Sequence, residues 1–483
     1  MTFDTRPVFF VVGALINVLA AAMMVPIIVD LTVGNPDWIV FAIASAVTLS
    51  FGVQVMLTNR SPWGALNLRQ TFLLTALAWV IVCAFASIPF MVSQAALSPT
   101  DAYFEAMSAL TTTGSTVITG LDRLPPGLLL WRSLLQWLGG IGIIGMGIAI
   151  LPFLRVGGMQ LFRSESSDRS DKVAPRASDL AIAVTWVYVT LTIACTGALA
   201  FAGMSWFDAI NHAMAAVSTG GFSTRDASIA GWENAAIEWV LVVFMMLGGM
   251  PFVRFISLVQ KGLTPFWADS QIFWYVSFLA AVSVVLSVWL SWTQDIPWLE
   301  AIRLTTFNVV SVVTTTGFAS ADYTLWGPMA VVAFFLLTFV GGCTGSTAGG
   351  LKIFRFEILF IVLHMLQRRL YSPNLVITLS YNRRPFGSDI MISVMSFGFV
   401  YMTSVFLLAL LLSFLGLDMI TAMSGAATAV GNVGPGLGPI IGPAGNFTSL
   451  PDGAKWLLAF GMLLGRLEFF TVLVVLSPAF WRQ

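Results

Sequence analysis

Four short polar stretches decide the fold of this chain, and they read Ala109-Leu110-Thr111-Thr112-Thr113-Gly114, Ala216-Val217-Ser218-Thr219-Gly220-Gly221, Val312-Val313-Thr314-Thr315-Thr316-Gly317 and Ala429-Val430-Gly431-Asn432-Val433-Gly434. Each is a version of one pattern that ends in glycine, and each lies between long apolar runs. One chain that repeats a polar loop four times inside a membrane can place the four loops around one axis. That arrangement is the geometry of an ion-selective pore.

The composition requires lipid as the solvent for much of the chain. Of its 483 residues, 58% are hydrophobic and only 10% are charged, whereas soluble domains carry about 25% charged residues. A soluble core cannot bury so much apolar side chain. The net charge of zero gives no reason to expect a nucleic acid partner. Three cysteines without metal-ligand spacing and only two histidines argue against a disulfide framework and against a histidine-rich metal or acid–base site.

Ten runs are apolar over about the 20 residues that a transmembrane helix needs. They cover 7–29, 38–58, 71–93, 127–154, 179–204, 236–256, 271–293, 327–363, 389–415 and 454–480. The first run is longer than the core of a cleaved signal, which is about 7–15 residues, so we expect a retained helix. The four polar stretches fall between runs three and four, five and six, seven and eight, and nine and ten.

The sequence therefore predicts an all-α polytopic membrane protein with an N-terminal helix pair and four helix–pore-loop–helix repeats. The helix pair would occupy 1–66, and the repeats 67–165, 166–262, 263–375 and 376–483. Basic residues gather after runs two, four, six and eight, and acids, Glu105 among them, gather in the loops on the other side. This bias predicts that both termini are cytosolic. The mixed-charge stretch 155–178 is either a solvated cytosolic loop or a docking site for a soluble regulator or an anionic lipid.

The polar stretches have the composition that a dehydrated cation needs. Non-helical backbone at membrane depth is tolerated only where protein or water covers it, and a ring of carbonyls can replace the water shell of a potassium ion. Glycine allows the backbone angles that aim successive carbonyls at one axis. Each stretch follows a segment long enough for a half-helix, and an acid lies near its start, where the helix dipole favours negative charge. These acids are Asp101, Asp208, Glu300 and Asp418.

The motifs resemble the Trk/Ktr/HKT superfamily of potassium transporters, most closely its TrkH branch, the membrane subunit of bacterial potassium uptake systems. They are TTTGST at 111–116, STGGFS at 218–223, TTTGF at 314–318 and AVGNVGPGLG at 429–438. The resemblance implies four filter strands made of Thr111, Thr112, Thr113, Gly114, Ser218, Thr219, Gly220, Gly221, Thr314, Thr315, Thr316, Gly317, Gly431, Asn432, Val433 and Gly434. It implies that K+ binds at Thr112, Thr113, Thr219, Gly220, Thr315, Thr316, Asn432 and Val433.

The resemblance also implies an assembly. The repeats would surround a pseudo-fourfold axis with a central pore, in a homodimer of the bacterial inner membrane whose protomers each have a pore. The expected partner is a cytosolic nucleotide-binding regulatory ring protein of the TrkA kind, and K+ is the transported ion, with no organic cofactor. Passive flow and proton-coupled symport stay open. Strands two and four lack the triple threonine, so we expect potassium over sodium without stringent selectivity. Gly114 favours potassium, since some relatives with serine there pass sodium.

A glycine-rich segment, 341–350, interrupts the eighth apolar run. Each glycine in a helix costs about 1 kcal/mol relative to alanine, so the run is either a kinked helix or a flexible plug beneath the filter. The GxxxxGK[ST] spacing of a phosphate-binding loop is missing. In the resembling family this segment is the intramembrane gating loop, which here would include Gly341, Gly342, Thr344, Gly345, Ser346, Thr347, Gly349 and Gly350.

The tenth run contains two charges, Arg466 and Glu468, which face different sides of a helix because they are two residues apart. Arg466 matches the family's arginine that faces the pore near the gate. Its charge would raise the barrier to cations and could hold the carbonyls of the gating loop. The alternative is a buried pair that only fixes helix packing. Glu468 would pair with either Lys352 or Arg355.

Two other functions compete with ion conduction. A sodium- or proton-coupled transporter of a small solute or cation would carry an acid at the midplane in its broken helix, and the segment 341–350 has none. A membrane enzyme would need a nucleophile with a base within reach. The chain has only two histidines that could supply such a base, so we expect no enzyme. His212 is predicted to be a polar contact behind the filter rather than a metal ligand.

Overall fold

The computed structural model describes residues 4–60, 66–149, 177–374, 377–382 and 384–482. Within these ranges the chain is helical apart from its loops and one short hairpin, in which β1 (Ser380–Tyr381) pairs antiparallel with β2 (Arg384–Pro385). In the described part of the chain, seven helices are long and apolar enough to cross a membrane, and two bent helix pairs meet the same criterion when each pair is taken together. The chain is therefore a multi-pass membrane protein, as its composition predicts.

The N-terminal helix pair forms as predicted. Helices α1 (Arg6–Ala22) and α2 (Met24–Val33) together make one candidate span, and α3 (Trp38–Thr58) makes the second. The two spans approach closely at a glycine, because a Cβ added to Gly52 would lie 3.0 Å from the carbonyl oxygen of Gly13. Small residues allow this kind of close packing between membrane helices.

Each repeat contains a long first helix, a short half-helix, a polar loop and a second membrane helix. The first repeat consists of α4 (Leu68–Ala86), α5 (Ile88–Val92), the half-helix α6 (Pro99–Leu110) and α7 (Pro126–Ala149). The second consists of α8 (Ala177–Phe201), the half-helix α9 (Trp206–Val217), α10 (Ala235–Gly248) and α11 (Phe252–Lys261), and α12 (Leu263–Trp267) follows it. Two short 3-10 helices lie in the loops between half-helix and second membrane helix in these two repeats, at Leu121–Arg123 and Ser228–Trp232.

The third and fourth repeats follow the same order. The third consists of α13 (Ser270–Gln294), the half-helix α14 (Trp298–Val313), a 3-10 helix (Tyr323–Trp326), α15 (Pro328–Leu337) and α16 (Ile353–Tyr371). The fourth consists of α17 (Ser388–Phe414), the half-helix α18 (Met419–Gly431), α19 (Gly438–Ile441), α20 (Asp452–Arg466), α21 (Phe470–Leu476) and α22 (Pro478–Trp481). The division into domains at the predicted boundaries stays a prediction, and the boundary at 165/166 lies outside the described residues.

Two large hydrophobic clusters flank the polar loops. The first joins the N-terminal pair to repeats one and four, and the second joins repeats two and three. Each cluster also receives a side chain from a repeat of the other, because Phe222 packs in the first and Val433 in the second. The loops that carry these two residues therefore lie where the two halves of the molecule meet.

Two of the ten runs that were predicted to be continuous helices are sharply bent at a break. In the sixth run α10 and α11 are bent by 93°, and in the tenth α20 and α21 are bent by 113°. The sixth breaks just before α11 because Pro251 has no N–H for the helix. The tenth breaks at Glu468 and Phe469, whose φ angles of 54° and 56° lie in the left-handed region. The eighth run divides into α15 and α16 at the glycine-rich segment, as predicted.

Candidate ion-conduction site

Four half-helices lead into the polar loops, which we number 1 (111–114), 2 (218–221), 3 (314–317) and 4 (431–434). Asp101 and Asp208 lie in the first turns of α6 and α9, where Ser98 Oγ and Ser205 Oγ each accept a backbone N–H at 3.1 Å. In the other two half-helices, Glu300 lies in the first turn of α14 and Asp418 caps α18. The predicted acids at the helix starts are therefore confirmed. The negative ends of all four helix dipoles lie at the polar loops.

All four half-helices end in the same turn. A non-glycine residue two positions before the aligned glycine has a left-handed backbone, with φ of 53° at Thr112, 52° at Thr219, 58° at Thr315 and 54° at Asn432. The next residue donates its N–H to the carbonyl five positions earlier, as Thr113 does to Ser108 at 2.8 Å. This is the Schellman turn, whose left-handed position is usually glycine. This turn was not predicted from the sequence. Its only signal in the sequence is that the left-handed residue stands two positions before the aligned glycine in all four stretches.

The polar loops contact one another in cyclic order through their aligned glycines. A Cβ added to each glycine would collide with a carbonyl oxygen of the next loop, so only glycine fits. The distances from the added Cβ to that oxygen are 2.3 Å for Gly114 and Gly220, 1.8 Å for Gly221 and Thr316, 2.1 Å for Gly317 and Val433, and 2.7 Å for Gly434 and Thr113. These contacts run from loop 1 through loops 2, 3 and 4 back to loop 1, and they close a ring.

The residues predicted for the filter are brought together in this ring. All of them are buried apart from Gly114, Gly221 and Gly317, which are half-buried. These three glycines also line one open cavity, together with Gly434 and Arg225. The ring therefore has an accessible mouth. Within the described residues no group of histidine, cysteine and acidic side chains could hold a metal ion. The oxygens in the ring are those of the backbone, of the threonine and serine hydroxyls and of the Asn432 amide.

The glycine-rich segment lies directly against three of the four polar loops. The N–H of Gly349 donates to Thr315 Oγ1 of loop 3 at 2.7 Å, and Thr347 Oγ1 lies 3.2 Å from Thr219 Oγ1 of loop 2. A Cβ added to Gly349 would lie 2.4 Å from the carbonyl oxygen of Gly431 in loop 4. The contacted residues include the left-handed ones that end the half-helices. The segment thus covers the ring on the side of the half-helix ends.

Arg466 ties this segment to the last repeat. Its Nη1 donates to the carbonyl oxygen of Thr347 at 2.9 Å, and the side chain is buried. Its Nε and Nη2 have no hydrogen-bond partner within the described part of the chain. Glu468, for which two partners were open, forms an ion pair with Arg355, while Lys352 donates to the carbonyl of Ala348.

Comparison with known proteins agrees with this geometry. The chain matches the TrkH family, described as cation transport proteins, over residues 39–483. The chain belongs to the TrkH family. It is 48% identical over 479 residues to the Trk system potassium uptake protein TrkI of Halomonas elongata, covering 99% of this chain and 97% of that protein. It is 37% identical to the Trk system potassium uptake protein TrkH of Escherichia coli K12, covering 99% of each.

A solved structure shows the same fold. The crystal structure of the potassium transporter TrkH from Vibrio parahaemolyticus matches with a TM-score of 0.92 at 34% identity, over 99% of this chain and 100% of that chain. The expectation from the four motifs, that this sequence resembles the TrkH branch, is confirmed. The relatives are named as transporters and cation transport proteins rather than enzymes.

A buried ion pair supports the ring of this TrkH-family chain from behind. Arg132 of α7 and Glu105 of α6 lie 2.8 Å apart, and both side chains are inaccessible to solvent. Glu105 also accepts the backbone N–H of Val117, and Arg132 donates to the carbonyl of Ser223. The pair thus connects the segment after loop 1 to the segment after loop 2. Glu105, one of the acids counted in the sequence between runs three and four, lies inside the half-helix α6.

Removing one partner of this pair is expected to destabilise the protein. Glu105→Ala would leave the Arg132 charge buried without its partner, which typically costs about 3–5 kcal/mol. We expect a clear fall in the midpoint of thermal unfolding in detergent. Glu300→Ala is the matched control, because its carboxylate is 51% exposed and lies 3.7 Å from Arg303. Equal midpoints for the two variants would show that the Glu105 pair does not support the ring.

His212 has the predicted role of a polar contact near the loops. Its Nε2 lies 3.0 Å from Ser223 Oγ, and its Nδ1 lies 2.8 Å from the carbonyl oxygen of Asp208. The imidazole is fully buried and stacks on the ring of Phe318 from the segment after loop 3. His212 therefore contacts the segments that follow loops 2 and 3.

Proposed function

We propose that this chain takes up potassium across the bacterial inner membrane through a central pore whose selectivity filter is the ring of polar loops. The observation that carries the proposal is the cyclic contact of the four aligned glycines, each against a carbonyl of the next loop. Carbonyls held by the protein can replace the hydration shell of an alkali cation. The dipoles of four half-helices stabilise a positive charge at the same place.

Potassium is the cation that the site and the relatives favour. The relatives are named as potassium uptake proteins, and Gly114 is kept at the first aligned position. The proposed K+ ligands are Thr112, Thr113, Thr219, Gly220, Thr315, Thr316, Asn432 and Val433. Loops 2 and 4 lack the triple threonine, so discrimination against sodium is expected to be moderate.

The glycine-rich segment would be the gate of this pore. It lies against loops 2, 3 and 4, and a cation that leaves the ring on that side must pass it. Arg466 adds a fixed positive charge and a hydrogen bond to Thr347 there. The hydrogen bond from Arg466 to the Thr347 carbonyl thus holds the segment against the ring. The positive charge of Arg466 would also repel the transported cation.

The remaining parts of the proposal concern assembly and orientation. A homodimer with one pore in each protomer would insert with both termini in the cytosol, as the basic loops predict. A nucleotide-binding ring protein of the TrkA kind would bind on the cytosolic side. The relatives' names describe a system, which supports further components.

Rubidium uptake into vesicles that hold only this protein tests the proposed function. We expect uptake that potassium inhibits more strongly than sodium and that choline does not inhibit. Gly221→Ala should abolish uptake, because its Cβ would lie 1.8 Å from the carbonyl oxygen of Thr316, a backbone atom that cannot move freely. Gly197→Ala in α8 is the matched control, since its Cβ would meet no described atom within 4 Å.

Two results would contradict the proposal. Wild-type vesicles that accumulate no rubidium above empty vesicles would exclude cation conduction by this chain alone. Uptake that depends wholly on an imposed sodium gradient would instead favour a sodium-coupled secondary transporter.

A further inference from the structure

Polar loops 1 and 3 are braced by their own threonines. The hydroxyls of Thr111 and Thr113 are 2.8 Å apart, and those of Thr314 and Thr316 are 2.7 Å apart. Thr111 also donates to the carbonyl of Met107 at the end of the half-helix. The residue before the aligned glycine is thus anchored to the half-helix through a pair of hydroxyls, so its peptide group has a fixed orientation.

Loop 2 cannot make this pair, because glycine stands at position 220 where loops 1 and 3 have threonine. A side chain from another helix braces it instead. Gln136 of α7 donates from Nε2 to the carbonyl oxygen of Gly220 at 2.5 Å, and its Oε1 accepts the N–H of Phe222 at 3.1 Å. Gln136 is fully buried. One side-chain amide therefore binds the backbone on both sides of Gly221.

The glycine at position 220 is explained by this amide rather than by the backbone. The φ angle of Gly220 is not positive, so residues other than glycine can adopt its backbone conformation. A Cβ there would lie 2.4 Å from the amide carbon of Gln136 and within 2.8 Å of both amide heteroatoms. Gln136 thus occupies the space that a side chain at position 220 would need. Residues 136 and 220 form one unit that replaces the hydroxyl pair of loops 1 and 3.

We propose that Gln136 is a positioning residue that holds the Gly220 carbonyl in the ring and thereby sets the discrimination between potassium and sodium. This inference rests on the proposed filter function. A carbonyl oxygen has two lone pairs, so it can accept from Gln136 and still coordinate a cation. A carbonyl held in this way cannot follow the smaller sodium ion without breaking its hydrogen bond. Without the bond, loop 2 adapts to sodium, and the preference for potassium falls.

The test measures selectivity rather than the amount of uptake. In rubidium uptake with potassium or sodium as competitor, Gln136→Leu should lower the ratio of the two competitors' potencies by about three- to tenfold, the effect of one hydrogen bond. Gln136→Met, which is closer in shape, should act in the same direction. Gln294→Leu is the matched control, because this exposed glutamine donates to Trp326 in the outer loop and should keep the wild-type ratio.

A second-site variant separates positioning from packing. Gln136→Ala removes the amide and opens the space beside residue 220, and adding Gly220→Thr then gives loop 2 a hydroxyl pair between Ser218 and residue 220, like that of loops 1 and 3. The double variant should recover potassium preference relative to Gln136→Ala. Gly220→Val in the same background fills the same space without a hydroxyl, so recovery with threonine but not with valine is due to the hydroxyl pair and not to packing.

The outcomes distinguish this inference from the proposed function. Wild-type protein without rubidium uptake refutes the function itself. Selective wild-type uptake with unchanged ratios in Gln136→Leu and Gln136→Met refutes only the role of Gln136. If no single variant folds, the double variant decides, because a folded double variant with a wild-type ratio supports the inference and one with a low ratio refutes it.

Discussion

Arg466→Ala is expected to raise the cation flux of the protein in the absence of any regulator by about tenfold or more, because a hydrogen bond to a charged group contributes about 1.5–3 kcal/mol. The arginine holds the glycine-rich segment through Thr347, whose hydroxyl lies 3.0 Å from the carbonyl oxygen of Val217 and 3.1 Å from that of Gly248 and can donate to either. Removing the guanidinium breaks the hydrogen bond to Thr347 and also removes a buried positive charge from the proposed path of the ion. Both effects act in the same direction.

Two comparison variants separate these effects. Arg466→Lys keeps the charge but has a shorter reach to Thr347, so it should leak less than the alanine variant if repulsion dominates and equally if the hydrogen bond dominates. Lys455→Met removes a buried positive charge from the same helix, where Lys455 pairs with Asp101 at 2.5 Å, and should not raise the leak. Flux in Arg466→Ala vesicles that equals the wild-type flux would remove the gate role of this residue.

Deletion of residues 343–348 is expected to give a folded protein with permanently high cation flux. The segment leaves and re-enters the fold through a closed neck, in which Gly341 donates to the carbonyl of Leu351 at 2.8 Å and Leu351 donates to that of Phe339 at 3.1 Å. A Cβ added to Gly341 would lie 2.1 Å from the carbonyl oxygen of Gly349. The two ends of the deletion are therefore neighbours, and the shortened chain can close without moving α15 or α16.

The measurement is rubidium flux in vesicles, with gel filtration in detergent as the check on folding. The expected flux is at least as high as in Arg466→Ala, because the deletion removes Thr347 together with its contacts to loop 2 and to Arg466, although Gly349 stays in the chain. A deletion protein that elutes like the wild type but carries no rubidium would mean that the segment is needed for conduction and is not a plug.

Local pattern was enough to predict the repeated architecture. The aligned glycines, the apolar runs and the acids at the starts of the half-helices are all features of a few neighbouring residues, and they identified the four loops and the glycine-rich break. Pro251 was a visible break in the sixth run, yet the hydropathy of its neighbours outweighed it. The tenth run has no such break signal. Its bend lies at Phe469, whose left-handed backbone conformation is one that glycine usually adopts.

Partners distant in sequence could not be predicted in this way. Gln136 lies in an apolar run, and its role depends on Gly220, which is far away along the chain and close in space. The pairing of Glu468 with Arg355 rather than Lys352 likewise follows from the bend after α20. Periodicity shows which face of a helix a residue occupies, but it does not show which residue of another repeat faces it.

We propose above all that the four polar loops close a ring that binds the transported ion. The most direct measurement is anomalous scattering from rubidium in crystals of the protein grown in rubidium chloride. We expect an anomalous peak inside the ring bounded by Gly114, Gly221, Gly317 and Gly434, and this peak should weaken when potassium replaces rubidium. Ordered density for the four loops with no peak between them, or a rubidium site only elsewhere in the molecule, would contradict it.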